Sequence, residues 1–185
     1  MTPQRSALIL FVAIVLVSCA PAWNLDPTAP YPHDWMGIAD RHNCDGMAMR
    51  ARGDGISIGD REMNVPVSFG HDVIRRRLEY APWITLRTVG STLKVVMSDD
   101  GGRVVDSYEL PFTCEAGWIV INETPPGGTE GFIGTGKRRV RLTVDVSGNV
   151  VAHVVSQSQG LALFVIPDGV RREQWLRFLA AKHGA

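Results

Sequence analysis

The stretch from residue 92 to residue 166 consists of short segments with strand character that are separated by turn-forming residues. Residues 139–146 alternate strictly between polar and apolar side chains, which is typical of a strand with one face in solvent and the other in the core. The run Asp99-Asp100-Gly101-Gly102 is a strong signal for a hairpin turn between two such segments. Short segments joined by tight turns predict a mainly β domain built as an antiparallel meander, either a barrel or a sandwich.

Two other segments carry a helical pattern. Residues 71–80 have apolar side chains at helical spacing and end before Pro82, which favours one short internal helix. Residues 170–182 place Trp175 and Phe178 on one stripe, which favours a C-terminal α-helix packed on the sheet.

Length and composition limit the class of protein. The chain has 185 residues, of which 45% are hydrophobic, and this suits a single packed domain rather than a disordered chain. It carries 19 basic and 19 acidic residues, so its formal net charge is zero. Because domains that coat nucleic acid are strongly basic, this balance argues against nucleic acid as the partner.

The N-terminus has the form of a secretory signal. One positive charge, Arg5, precedes an apolar run over residues 7–17. Eleven residues of helix rise about 16 Å, roughly half of a hydrocarbon core, so the run is too short for an ordinary membrane span. A charged start, a short apolar middle and small residues at the exit are typical of a cleaved signal peptide.

The exit of this signal, Leu16-Val17-Ser18-Cys19, resembles the lipobox of bacterial lipoproteins. The resemblance covers residues 1–19 only, and no family is recognised for residues 20–185. It implies cleavage before Cys19 and attachment of diacylglycerol and fatty acyl chains such as palmitate to that residue. The alternative is an ordinary secretory signal in which the cysteine has no such role.

The resemblance divides the chain into three parts: a signal peptide (1–18), a lipidated, proline-rich tether (19–43) and one β-rich globular domain (44–185). Ala20 follows the cysteine, where an aspartate retains the enteric members of the family in the inner membrane. Ala20 therefore implies an anchor in the outer membrane, with the domain facing the periplasm.

Three cysteines are an odd number for an exported chain. If Cys19 carries lipid, Cys44 and Cys114 remain as a pair, and an oxidising compartment favours a structural disulfide between them. The alternative is a reactive thiol at Cys44, two residues after His42.

No motif in the sequence has all the features that a catalytic or metal-binding site requires. Residues 131–137 match the glycine and lysine spacing of a phosphate-binding loop, but Arg138 replaces the hydroxyl residue that holds magnesium. The sequence has no His-Glu-x-x-His motif, and residues 55–59 match the Gly-x-Ser-x-Gly spacing only within a strand-like stretch, not at a strand-to-helix turn. We therefore predict no catalytic residue, no metal site, no cofactor and no enzymatic activity.

Two basic clusters are the remaining candidate binding residues. They are predicted either to contact anionic lipid or the phosphates of an envelope glycolipid, or to form solvated, salt-bridged surfaces. The clusters are Arg75, Arg76 and Arg77, and Lys137, Arg138, Arg139 and Arg141. The sequence thus predicts a lipid-anchored, non-catalytic envelope protein that contacts an envelope protein or anionic lipid. The alternative is a small lipocalin-like module that carries a lipid or another hydrophobic ligand.

Overall fold

A computed structural model describes residues 23–59, 64–74, 81–124, 132–162 and 166–181. This part of the chain is built mainly from antiparallel strands. The strands are β1 (Ala48–Arg52), β2 (Asp54–Gly59), β3 (Asn64–Ser68), β4 (Trp83–Val89), β5 (Thr92–Ser98), β6 (Val104–Pro111), β7 (Thr113–Glu115), β8 (Trp118–Glu123), β9 (Phe132–Val144), β10 (Val150–Ala162) and β11 (Ile166–Phe178).

The strands form two sheets. The first sheet has the order β1-β4-β5-β6, and the second has the order β3-β2-β11-β10-β9-β8-β7. Strands β7 to β11 are neighbours in chain order, as are β4 to β6, and all the pairs are antiparallel. The predicted mainly β, antiparallel class is confirmed.

Alternate side chains of the two sheets meet in one apolar core. Leu86 and Leu93 of the first sheet and Leu142 and Leu176 of the second have no solvent-exposed surface and belong to the same buried cluster. The strands alternate because successive side chains point to opposite faces of a sheet. Two stacked sheets with a filled interior make the domain sandwich-like.

The last described residues connect the two sheets. Beyond β11, the amide of Ala181 donates to the carbonyl of Arg50 at 2.9 Å, and the amide of Arg52 donates to the carbonyl of Leu179 at 2.8 Å. The chain thus leaves the second sheet at Phe178 and pairs with β1 at the edge of the first.

The predicted C-terminal helix is wrong, because residues 166–178 form β11, which pairs with β10 along its whole length. Leu176 and Phe178 face the core, whereas Glu173 and Trp175 lie on the outer face of the second sheet. Both faces of β11 are covered, so apolar residues occur on both. This hides the two-residue period and leaves Trp175 and Phe178 at a spacing that also fits a helix.

The predicted internal helix falls only partly on described residues. Residues 71–73 belong to a single π-helical turn, Phe69–Val73, and residues 75–80 lie outside the described residues. Phe69 and Val73 are buried in the core between the sheets, so the turn closes one end of the sandwich.

The predicted disulfide between Cys44 and Cys114 is confirmed, with the two Cα atoms 5.8 Å apart. Cys44 is buried, and its carbonyl accepts a hydrogen bond from the Thr88 hydroxyl of β4 at 2.6 Å. Cys114 lies on β7 at the edge of the second sheet. The disulfide therefore fastens the segment before β1 to the far edge of the meander.

Candidate functional site

Residues 24–38, called the N-terminal strap here, lie across the outer face of the second sheet. The Glu173 carboxylate of β11 accepts hydrogen bonds from the Thr28 amide at 2.8 Å, the Thr28 hydroxyl at 2.7 Å and the Ala29 amide at 2.8 Å. The Asn24 amide donates to the side chain of Gln157 at 2.8 Å. The part of the predicted tether that begins at Asn24 is therefore held on the domain.

Arg171 completes the attachment of the strap. Its guanidinium donates to the carbonyl oxygens of Asp26 at 2.8 Å and Asn24 at 3.3 Å, and it lies 2.8 Å from the Glu173 carboxylate. Burial alone raises the pKa of Glu173, but the hydrogen bonds from Ala29, Thr28 and Arg171 outweigh it and lower the pKa to about 2. Glu173 is therefore ionised wherever the strap is bound at neutral pH.

His153 of β10 lies directly beneath this attachment, with no solvent-exposed surface. Its Nε2 is 2.9 Å from Oε1 of Glu173, but the contact is not aligned as a hydrogen bond. The imidazole stacks on Trp175, with ring centroids 4.0 Å apart. Burial, with smaller contributions from Arg141 and Arg171, outweighs the attraction of Glu173 and lowers the pKa of His153 from 6.5 to about 4. The ring is therefore neutral at pH 7.

The two lowered pKa values predict a loss of stability in acid. An unfolded chain binds a proton on His153 below pH 6.5, whereas the folded chain binds it only near pH 4. The stabilisation from a neutral His153 is therefore complete above pH 6.5 and is lost as the pH falls from 6.5 to 4. We expect about 2–3 kcal/mol less free energy of unfolding at pH 4.5 than at pH 7, measured by urea denaturation.

The Glu173 carboxyl adds a second loss of stability between pH 4.5 and pH 2, because its pKa is lowered from 4.5 to about 2.

The control for the loss assigned to His153 is His153→Gln, which removes the titrating group at the same position. This variant should show a clearly smaller loss between pH 7 and pH 4.5. A wild-type stability that is flat over this range, or an unchanged slope in the variant, would contradict the assignment.

Aromatic rings and guanidinium groups of the strap and the second sheet form a continuous row of contacts, in which the rings meet edge to face or tilted. Trp175 lies 5.1 Å from Tyr31 and 6.2 Å from Trp118, measured between ring centroids. Arg141 lies 4.5 Å above Trp118, and Arg177 lies 4.8 Å above the ring of Trp35. The order of the residues in this row is Arg141, Trp118, Trp175, Tyr31, Trp35 and Arg177. Tyr31 and Trp35 belong to the strap, and they contact Trp175 and Arg177 of β11, so these contacts hold the strap on the sheet.

The predicted basic cluster on β9 is divided between the two faces of the second sheet. Arg138 points into the molecule and is 1% exposed. It donates to the carbonyl of Val73 at 2.7 Å and to that of Asp72, and it pairs with Glu123 at 2.8 Å. Its assignment to an anion-binding surface is therefore wrong, because it is a buried link between β9 and the π-helical turn.

The other three members of this cluster lie on the outer face, where two have close partners. Arg139 pairs with Glu115 and lies 3.6 Å from Asp26 of the strap. Arg141 is partly buried against Trp118. Lys137 is exposed, with Nζ 5.3 Å from the ring centroid of Trp23. The predicted partner cluster, Arg75, Arg76 and Arg77, lies outside the described residues.

A basic surface that sequence reasoning missed lies on the outer side of the first sheet. We call it the cationic face, and it is formed by Arg50, Arg52, Arg87 and Lys94. Each of these residues is flanked in sequence by residues that face the core, such as Met49, Ala51, Leu86, Leu93 and Val95. Alternation along the strands therefore directs the four cationic side chains outward.

Trp83 of β4 organises one half of the cationic face. The guanidinium carbons of Arg50 and Arg52 each lie 5.1 Å from the centroid of its ring. The indole Nε1 donates to Asp100 at 3.1 Å, and Arg52 pairs with Asp54 at 2.9 Å. The ring thus holds two guanidinium groups on one side of the sheet.

The other half of the face places two like charges directly opposite each other. Arg87 of β4 is paired in register with Lys94 of β5, and both side chains are exposed. Lys94 is paired on its other side with Glu109 of β6. A like-charged pair on neighbouring strands is unfavourable, and only Lys94 has a compensating cross-strand partner in Glu109, so the stability of the sheet does not explain Arg87.

Comparison with known proteins finds no family model, no curated protein and no solved structure that matches this chain. Within the described ranges, no group of three or more His, Cys, Asp or Glu side chains is placed to hold a metal ion. No helix in that part of the chain is both long and apolar enough to span a membrane. Function is therefore inferred from residues, contacts and charge.

Proposed function

We propose that this chain is a lipid-anchored protein of a bacterial cell envelope, held in the outer membrane through Cys19 and facing the periplasm. Its domain acts by binding other envelope components and not by catalysis. The observation that carries the binding role is the contrast between the two outer faces of the sandwich. The strap covers much of the outer face of the second sheet, whereas the outer face of the first sheet presents the exposed side chains of Arg50, Arg87 and Lys94.

The short distance from anchor to strap supports a domain held close to its membrane. Cys19 and Asn24 are five residues apart, a length that reaches at most about 17 Å when fully extended. Since the strap is bound from Asn24 onward, little of the segment is left to act as a spacer. Several acyl chains on Cys19 make such an anchor effectively permanent, because each buried CH₂ contributes about 0.8 kcal/mol.

The filled core favours this proposal over a carrier of hydrophobic ligands. Ile84, Leu86 and Leu142 meet between the sheets and have no exposed surface. A lipid bound there would have to displace side chains that already pack at the density of a protein interior. The lipocalin-like alternative requires a hollow interior, and the described core has the opposite character.

Replacing Cys19 with serine should abolish acylation, because the hydroxyl cannot take the place of the thiol that receives the lipid. Expressed in a bacterial host with a clickable fatty acid, the wild type should carry the label and Cys19→Ser should not. Cys114→Ser is the matched control, since it removes a cysteine elsewhere and should keep the label. A wild-type protein that takes up no label would contradict the anchored assignment, and a label that persists in Cys19→Ser would place the lipid on another residue.

A further inference from the structure

The cationic face carries a concentration of positive charge that its own neighbours only partly neutralise. Arg50, Arg87 and Lys94 are exposed on three adjacent strands. The acidic residues at or beside the face are Asp54, which pairs with Arg52, Glu109, which lies opposite Lys94, and Asp100, which accepts a hydrogen bond from Trp83. A partner that complements this surface must be anionic.

Arginine on an aromatic platform is suited to a carboxylate or a phosphate. A guanidinium group binds these anions through two parallel hydrogen bonds, and its planar shape stacks on an indole ring. Trp83 holds Arg50 and Arg52 by such contacts, so part of the side-chain ordering needed for binding is already present.

The side chains between the cationic residues are short, and they form a row that runs across the strands of the sheet. Arg50 is in register with Thr85, which is in register with Val96, and Val96 is in register with Ser107 on β6. Small side chains in a row across the strands leave a flat strip bordered by Arg87 and Lys94. A flat strip with hydroxyl groups and flanking cations is suited to an extended polymer that carries both hydroxyl groups and anions.

The position of the face relative to the anchor makes the anchoring membrane a poor partner. The strap binds the outer side of the second sheet, and the cationic face is on the opposite side of the sandwich. The strap contacts Arg171, nine residues before Ala180, which pairs with β1. At about 3.3 Å per residue, this stretch spans at most about 30 Å, and the two stacked sheets lie between the strap and the cationic face.

We propose that the cationic face binds an anionic glycan of the cell envelope, a linear polysaccharide with carboxylate or phosphate groups. The inference rests on the proposed function, which places the domain outside the cytoplasm, where such polymers occur and nucleic acids are scarce. Arg50, Arg52, Arg87 and Lys94 contact the anionic groups, and Trp83 is a positioning residue for the first two.

The test uses the full-length protein in a neutral detergent and polygalacturonate, a carboxylated linear glycan, as the probe. Dextran is the uncharged control polymer. We expect binding to polygalacturonate at low salt, weaker binding as salt rises, and no binding to dextran. The double variant Arg50→Gln/Arg87→Gln should weaken binding about 30-fold, because each lost cation near an anionic surface weakens it roughly fivefold.

A matched double variant separates this face from general charge attraction. Arg41 and Arg172 are exposed and lie elsewhere, Arg41 beside the β7–β8 turn and Arg172 on β11. Arg41→Gln/Arg172→Gln loses the same net charge and should bind within about threefold of the wild type. Thermal unfolding of both variants shows whether the fold is kept, and the single variant Arg87→Gln repeats the test if the first double variant unfolds.

Four results would overturn the proposal. These are no binding of polygalacturonate at low salt, equal losses in the two double variants, equal binding of dextran, and tighter Arg87-dependent binding of phosphatidylglycerol vesicles, polyglutamate or oligothymidylate. The last result would identify a membrane, an acidic protein or a nucleic acid as the partner instead. Acyl labelling at Cys19 is measured separately. Glycan binding without the label contradicts only the anchor, and the label without glycan binding contradicts only this inference.

Discussion

Replacing Glu173 with alanine should lower the free energy of unfolding by about 3–5 kcal/mol. The substitution removes the acceptor for three hydrogen bonds from Thr28 and Ala29, and it leaves Arg171 without its carboxylate partner. Glu173 is buried and its donors are partly buried, so these donors stay unpaired unless the strap moves and lets water reach them. The strap should detach from the second sheet as a consequence.

Two measurements check this result. Urea denaturation gives the loss in free energy, and limited proteolysis should cut residues 24–38 in the variant under conditions in which the wild type is protected. Glu109→Ala, at an exposed carboxylate on β6, is the matched control and should lie within about 0.5 kcal/mol of the wild type. A Glu173→Ala protein that unfolds within about 1 kcal/mol of the wild type, with its strap still protected, would show that Glu173 does not hold the strap.

Loss of the disulfide between Cys44 and Cys114 should lower the free energy of unfolding by roughly 4 kcal/mol. The bond closes a loop with a sequence separation of 70, and on the chain-entropy model a loop of this length restricts the unfolded chain by about that amount. It also joins the segment before β1 to β7, at the edge of the second sheet.

The test compares Cys44→Ala, Cys114→Ala and the double variant by urea denaturation. All three should lose about the same amount, because each removes the same bond, and dithiothreitol should then have little further effect. The control is the wild type with and without dithiothreitol, which should reproduce the difference. Losses that add in the double variant, or two thiols that alkylate readily in the native wild type, would contradict the structural role of this bond.

Most of the strands could be predicted from local pattern. Residues 92–98 were bounded by a glycine before and an Asp-Gly turn after, and they form β5 as Thr92–Ser98. The local pattern did not predict that residues 166–178 form the strand β11. Its outer face carries Trp175 because the strap covers that face, and the strap is more than a hundred residues away in sequence. Alternation of polar and apolar residues identifies a strand with one buried face. A strand that is buried on both faces lacks this alternation and is easily taken for a helix.

The charged residues show a similar limit. Lys137, Arg138, Arg139 and Arg141 are adjacent in sequence, yet a strand sends Arg138 to the opposite side from the others. Arg50 and Arg87 are distant in sequence, and the pairing of β1 with β4 brings them to one surface. Spacing in the sequence therefore grouped Arg138 with the wrong neighbours, because in a sheet the register and not the sequence spacing decides which side chains are neighbours.

The sequence by itself determined the mainly β class, through alternation and turn residues that act over a few positions. It also favoured the pairing of Cys44 with Cys114, because setting Cys19 aside as the predicted lipid site leaves a single possible partner. Only the tertiary structure decided that residues 24–38 are bound to the domain, that Glu173 and His153 meet beneath them, and that the open basic surface lies on the first sheet. Those features depend on contacts between residues far apart along the chain, and such contacts exist only once the strands are paired and the two sheets are stacked.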